Sequence, residues 1–228
     1  MAKRCAATDE GVGEIGELTR GGLRALGIKH NATALRMFRE YVDVLWTWNR
    51  VFRLTAEGSK REFVKNQLFD SVSIHQMVSP DAPMIDIGSG TGLPGIVLKI
   101  LCPDKEVWLV EPNRRRANFL RDAQRSLGLR GLVIWEGRGE DLKEEKSAFS
   151  YFGESTAKAF GDVKKFLKIS FPLLIESGSA LAMTRAEFEG FSRSGSCPDF
   201  TDPIVHKLAI PGKRHPRTVL QFIKTSFI

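Results

Sequence analysis

Cysteine is scarce in this chain: three among 228 residues, Cys5, Cys102 and Cys197, far apart and odd in number. That excludes a disulfide framework, and the lack of paired spacing argues against a thiolate metal site. A reducing cytoplasm suits such a chain best. Histidine is equally sparse, and His30, His75, His206 and His215 form neither a metal-ligand motif nor a Ser/His/Asp arrangement. No apolar run approaches the ~20 residues of a membrane span. The opening MAKRCAATDEGVGEIGEL has no apolar middle of the signal-peptide kind. Internal repeats and low-complexity tracts are missing too. The expectation is a cytoplasmic protein with no metal and no membrane partner.

Hydrophobic residues make up 42% of the chain, enough to bury a core as one domain with an appended segment. A net charge of +7 and a pI near 9.4 lean toward an anionic partner, although charge alone only biases non-specific binding.

The most informative stretch is Met84–Ile96, MIDIGSGTGLPGI. Met84, Ile85 and Ile87 read as a buried strand, and Gly88, Gly90, Gly92 and Gly95 fall where a helix should begin. Glycines at this spacing allow positive φ and let a ligand approach the main chain. Asp86 closes the strand. Ligands of doubly wound α/β domains bind beyond the carboxyl ends of such strands. Two ligands fit the pattern. Gly90 to Gly95 satisfies G-x-G-x-x-G, the dinucleotide fingerprint, which needs a pyrophosphate on a helix N-terminus. Read from Asp86, the same residues spell D-x-G-x-G-x-G, which resembles the first motif of S-adenosylmethionine-dependent methyltransferases. That ligand carries an ammonium and a sulfonium, whose charge Asp86 could help to balance.

The next apolar run, Val107–Val110, ends in Glu111, about twenty residues past the glycines and suited to accept bonds from ribose hydroxyls. A third run, Leu132–Trp135, leads into a loop where Gly139 and Glu140 are candidates for gripping adenine. Residues 1–80 read as a helical extension, its first twenty residues Gly- and charge-rich and mobile. Within it, Leu35, Phe38, Val42 and Leu45 predict a helix with Asn31 or Thr33 as N-cap, and another helix spans 60–78. Residues 81–228 read as the catalytic domain, with strands at 84–87, 107–110, 132–135, 155–159 and 179–183. Helices are expected from about 94, at 113–127 and at 162–176. Two closing β runs follow at 204–210 and 218–224, the last antiparallel. The alternation implies a mostly parallel sheet covered on both faces.

Three basic surfaces stand out. On the helix 113–127, Arg114, Arg121 and Arg125 share a face opposite Ala117, Leu120, Ala123 and Leu127, with Arg115 and Arg116 beside its start. This is either a solvated face or a phosphate-contact surface for RNA. Lys164, Lys165 and Lys168 form a second stripe. Lys213, Arg214 and Arg217, in the loop between the closing strands, form the third.

Several strings in order carry a family likeness: Trp48-Asn49 with Leu54-Thr55, Leu68 with Asp70-Ser71, Ile85 to Ile96 with its Leu93-Pro94-Gly95 continuation, Arg116 with Phe119-Leu120-Arg121, and Arg138-Gly139-Glu140. Over roughly residues 35–225 the chain resembles the bacterial 16S rRNA (guanine-N7) methyltransferases, also called the glucose-inhibited division protein B family. The resemblance implies a class I S-adenosylmethionine-dependent methyltransferase fold: Rossmann-like, with a mostly parallel seven-stranded sheet and an N-terminal helical extension. It also implies a small-subunit rRNA substrate. Carried over by position, it implies that Gly88, Leu93, Gly139, Glu140 and Lys158 contact the cofactor. The chain departs from the family pattern at four places: Arg53 stands for Asn, Asn66 or Gln67 for His, Lys158 for Arg, and Thr184-Arg185 for Lys-Gly.

Guanine N7 carries an unprotonated lone pair on the major-groove edge. Its methylation needs no general base, in keeping with the absence of a nucleophile–base pair, so no catalytic side chain is expected. The expected cofactor set is Asp86, Gly88, Gly90, Gly92, Leu93, Glu111, Gly139, Glu140 and Lys158. The expected RNA contacts are Arg114, Arg121, Arg125, Lys213, Arg214 and Arg217, on a monomer. The alternatives are a methyltransferase of another substrate, a non-catalytic RNA-binding or assembly protein, and a dehydrogenase.

Overall fold

The computed structural model describes residues 13–145, 147–184 and 199–225. Cys5, Cys197, Arg185 and the first twelve residues of the predicted mobile segment lie outside the described residues.

The chain enters through helix α1, Gly13–Ala25, which corrects the expected mobility of residues 13–20. Gly16 and Gly22 are buried in this helix, and a Cβ on Gly22 would lie 2.2 Å from the Phe69 ring. Helix α2, Ala32–Phe52, starts where the Asn31 side chain accepts the Ala34 N–H at 2.8 Å, so Asn31 is the cap. Its stripe of Leu35, Phe38, Val42 and Leu45 is buried, as the spacing predicts. It ends at Arg53, held in the left-handed region at φ 48.

The predicted helix over 60–78 keeps its path but not its uniformity. It runs as α3 (Lys60–Phe63), a π-turn (Val64–Leu68), α4 (Phe69–Val72) and a 3-10 turn (Ser73–Met77). The Phe69 N–H reaches back to the Val64 carbonyl, one residue further than in an α-helix.

Seven strands form one sheet: β1 (Met84–Ile87), β2 (Val107–Val110), β3 (Leu132–Trp135), β4 (Phe152–Lys158), β5 (Leu174–Thr184), β6 (Ile204–Leu208) and β7 (Arg217–Ile223). Their order is β3-β2-β1-β4-β5-β7-β6. The first five pair in parallel, and β7 runs antiparallel to both β5 and β6. Helices α5 (Gly95–Leu101), α6 (Arg114–Leu127) and α7 (Val163–Ser170) make the crossovers. Helix α7 stops at Ser170, short of the predicted 176: Phe171 still has helical angles and donates to the Leu167 carbonyl at 2.9 Å, but Pro172 has no N–H with which to continue the ladder. Strand β5 therefore begins at Leu174 rather than 179.

Apolar residues cover both faces of the sheet. One cluster joins Leu23, Phe38, Leu45, Phe63 and Leu68 of the N-terminal helices to Ile96, Leu98, Phe119 and Leu120 of α5 and α6. The other lies under α7, around Ile85, Phe152, Phe166, Leu174 and Phe222. Polar ties fix the two halves: the Trp48 indole donates to Asp122 at 2.8 Å, and the Tyr41 hydroxyl donates to the Thr91 carbonyl at 2.6 Å. Lys105, fully buried, donates to the Ser79 carbonyl at 2.6 Å and pairs with Glu154 at 2.8 Å, clasping the approach to β1.

Candidate cofactor and RNA site

The turn after β1 takes left-handed backbone at Gly88, Gly90 and Gly92, with φ of 74, 59 and 81. Glycine alone adopts this at little cost. The turn floors a cleft of about 390 Å³, walled by Leu54 and Thr55 after α2, Phe63 and Gln67 of the α3 segment, Arg116 of α6, and Lys158 and Ala159 at the end of β4. That volume suits a small-molecule ligand. Of the expected cofactor residues, Gly88, Gly90, Leu93 and Lys158 line it.

Asp86 does not face the cleft, and its expected role is corrected. It is fully buried, with Oδ2 accepting the Gly95 N–H and Oδ1 accepting the Thr156 hydroxyl, each at 3.1 Å. Burial pushes its carboxyl up to about 7, against those hydrogen bonds and the Lys158 charge. Asp86 thus braces the turn instead of meeting a ligand cation. Gly95 is tied to this arrangement, since a Cβ there would fall 2.2 Å from Leu109 and 3.0 Å from the Asp86 carboxylate.

This bracing bears on the choice between the two ligands. Gly92 and Leu93 donate their N–H groups to the Ser89 carbonyl, Gly95 to Asp86 and Ile96 to the Gly92 carbonyl, while Pro94 has none. A carboxylate already stands at the start of α5 and these four amides are taken, which disfavours a pyrophosphate at that helix end. At Gly90, by contrast, a Cβ would meet nothing nearer than the Gly88 carbonyl at 3.9 Å and would stand in the cleft. Bare backbone of this kind fits S-adenosylmethionine, which brings no phosphate.

Glu111 ends β2 almost wholly buried, with Oε2 accepting the Gly90 N–H and Oε1 the Asn113 N–H, each at 2.8 Å. Each oxygen keeps one acceptor site for a hydroxyl. Gly92 lies beneath the turn, where a Cβ would strike Ile96 at 2.4 Å. Gly139 is buried against Ile169, and Glu140 pairs with Lys165 at 2.8 Å, whose hydrogen bond holds that carboxyl below its ordinary range. Both open the 3-10 turn Gly139–Glu144 after β3 and stand outside the lined cleft.

Lys158 is the cleft's buried cation. Its ammonium donates to the Gln67 carbonyl at 3.1 Å, the Gln67 amide oxygen at 2.9 Å and the Ser71 hydroxyl at 3.0 Å, and lies 3.3 Å from Asp70. Burial lowers its pKa to about 8, opposed by the Asp70 charge. Asp70 in turn takes the fork of Arg217, through Nε and through Nη2 at 2.6 Å, while Nη1 donates to the Thr184 carbonyl at 2.7 Å. Arg217 is therefore an internal ion-pair partner, which corrects its expected role as a phosphate contact. Beyond this network opens a second cleft of about 390 Å³, bordered by Glu57, Asn66, Asp70, Ile210, Lys213 and Arg217 among others, and Gln67 borders both clefts.

The arginine stripe of α6 divides. Arg114 and Arg116 are exposed at its start, and Arg116 reaches the cofactor cleft. Arg121 pairs with Glu136 at 2.7 Å and Arg125 with Asp122 at 3.2 Å, further along the helix. Arg115 lies over the Phe52 ring. Lys213 donates to Asn66, and Arg214 is exposed beside it.

Sequence reasoning missed Thr55, Gln67, Asp70, Ser71 and Arg116 as site residues. The Leu54-Thr55 and Asp70-Ser71 strings mark most of them, but only as a likeness, because their partners lie far along the chain. Among the described residues no group of His, Cys, Asp and Glu could hold a metal ion, and no helix is long and apolar enough to cross a membrane.

The family model described as rRNA small subunit methyltransferase G matches residues 34–195. Ribosomal RNA small subunit methyltransferase G of Xylella fastidiosa (strain 9a5c) is 38% identical over 178 residues, 77% of this chain and 81% of that one. The protein of the same name from Chromohalobacter salexigens is 32% identical over 200 residues, covering 88% and 93%. Among solved structures, TrmN from Thermus thermophilus aligns with a TM-score of 0.51 at 17% identity, over 67% of this chain and 48% of that one. A predicted O-methyltransferase from Agrobacterium tumefaciens gives 0.51 at 17% identity, over 64% and 74%. Those two likenesses carry the fold, and the sequence relatives carry the family. With the glycine turn at the end of β1 inside a match that spans most of the chain, and relatives 32% and 38% identical over most of their own length, the chain belongs to the rRNA small subunit methyltransferase G family.

Proposed function

We propose that this chain transfers a methyl group from S-adenosylmethionine to N7 of one guanine in 16S rRNA of the small ribosomal subunit. The observation that supports it most is the glycine turn, open to a ligand at Gly88 and Gly90, with Asp86 already occupying the Gly95 N–H at the start of α5. S-adenosylmethionine, when bound, supplies an electrophilic methyl on sulfur. Guanine N7 needs no base, so the chain's task is to orient the two partners and exclude water, which can contribute several kcal/mol. Gly88, Gly90 and Leu93 shape the floor, Glu111 takes ribose hydroxyls, Gly139 and Glu140 border the adenine end, and Lys158 holds positive charge beside the cofactor. In this reading the enzyme acts in the cytoplasm as a monomer. The test is N7-methylguanine, read by mass spectrometry, after incubation with naked rRNA and with 30S particles. Cofactor binding with no such product on either substrate would transfer the chain to the non-catalytic or other-substrate readings.

RNA is held across the cleft mouth by Arg114 and Arg116 on one side and by Lys213 and Arg214 on the other. Each phosphate neutralised steepens the salt dependence of binding by about 0.9 in log–log slope. Reversing Arg114 and Arg116 to Glu is expected to flatten that slope by about 2. Arg121→Glu and Arg125→Glu together are expected to change it by less than about 1, and Arg217→Ala not at all. Filter binding across a salt series checks this. A larger effect from the Arg121 and Arg125 pair would return the RNA path to the helix flank.

The Lys158 ammonium is charged below its pKa of about 8 and loses that charge as pH rises through it. Methylation is therefore expected to fall above pH 8, whereas Lys158→Arg, charged throughout, keeps activity to higher pH. Lys158→Ala is expected to lose activity at every pH. Identical pH profiles for wild type and Lys158→Arg would remove this charge from the account. A wild type without product, rescued by arginine, would show instead that bidentate geometry is required.

A further inference from the structure

We propose that the second cleft receives the target guanine and that Glu57 reads its Watson–Crick edge. The proposal rests on the guanine reading above and adds the pocket and the residue that select the base. Gln67 borders both clefts, so a base in the second lies beside a cofactor in the first. Its volume of about 390 Å³ accommodates a nucleotide, and Ile210 and Pro216 offer apolar walls for a flat ring.

The two carboxylates of this cleft are not equivalent. Asp70 is spent on the Arg217 fork and on Lys158. Glu57 makes no ion pair among the described residues and is held only by neutral amides. The Asn66 side chain donates to Oε2 and the Gln67 side chain to Oε1, each at 2.8 Å. Both amides come from the π-turn, a distortion common at functional sites. A carboxylate has about four acceptor positions, so two remain, one on each oxygen. Guanine presents a matching pair of parallel donors, N1–H and N2–H. Adenine turns an acceptor, N1, toward the same carboxylate and is repelled. With the Watson–Crick edge on Glu57, the N7 edge lies on the opposite side of the ring, free to face the other cleft.

The experiment uses 30S subunits reconstituted with 16S rRNA carrying either guanine or inosine at the methylated position. Inosine keeps N1–H, O6 and N7 and lacks only the 2-amino group. Wild-type enzyme is expected to methylate the guanine subunits about 10- to 100-fold faster, the discrimination of a good bidentate base contact. Glu57→Gln, which can no longer accept both donors, is expected to be slow on guanine, with the guanine-to-inosine ratio falling toward one. The ratio is read within each variant, so any unfolded fraction cancels. S-adenosylmethionine affinity by calorimetry is expected to stay within about twofold of wild type. An unchanged ratio in Glu57→Gln, no discrimination by wild type, or loss of cofactor binding in the variant overturns the assignment of Glu57. Wild-type product with an unchanged ratio defeats this proposal alone. Absence of N7-methylguanine with wild type defeats the guanine reading itself, and this one with it.

Discussion

Replacing Gly90 by valine is expected to reduce S-adenosylmethionine affinity at least ~100-fold, about 2.8 kcal/mol, while the protein still folds. Two effects act together. The backbone at Gly90 sits at φ 59, where a β-branched residue is strained by roughly 1–3 kcal/mol. The new side chain also projects into the cleft, where nothing of the protein lies in its way and a ligand therefore must. The strain alone should lower the melting midpoint by up to about 10 °C, at some 2–4 °C per kcal/mol for a chain of this size. Calorimetric titration and circular dichroism separate the two effects. Wild-type affinity in a folded Gly90→Val protein would mean that the cofactor does not lie on this turn.

A second large effect is expected at Asp70. Asp70→Ala removes the shared partner of Lys158 and Arg217, whose side chains are 11% and 14% exposed. Two cations then face each other with little water. Breaking a buried pair by removing one member typically costs about 3–5 kcal/mol, mostly the desolvation of what is left behind. The expected drop in melting midpoint is on the order of 10 °C. Arg217→Met, which leaves Asp70 paired with Lys158, should cost less. A shift under about 3 °C for Asp70→Ala would show that both cations reach water when their shared partner is removed.

Local features were the legible ones. The Asn31 cap, the apolar stripe of α2 and strands β1 to β3 all depend on neighbours within a few residues, and the structure has them where the patterns put them. The glycine turn was legible for the same reason. The direction of the Asp86 side chain was not. A strand-end carboxylate reads alike whether it points at a ligand or at the amides of the following helix, and only the bonds to Gly95 and Thr156 distinguish the two. Arg217 misled because it sits in a basic run, while its partner Asp70 lies 147 positions away. The π-turn left no trace in the residue pattern that we can identify.

The bond from the Tyr41 hydroxyl to the Thr91 carbonyl has a thermodynamic consequence. Tyr41 is fully buried in α2, and Thr91, next after Gly90, itself lines the cofactor cleft. Whatever binds the native turn but not the unfolded chain stabilises by mass action everything that must be ordered for the turn to exist. Here that includes α2 and the apolar cluster joining it to α5 and α6, so cofactor occupancy and the integrity of the N-terminal helices are linked functions. By reciprocity, a substitution that loosens α2 far from the cleft weakens cofactor binding by the free energy it takes from that link.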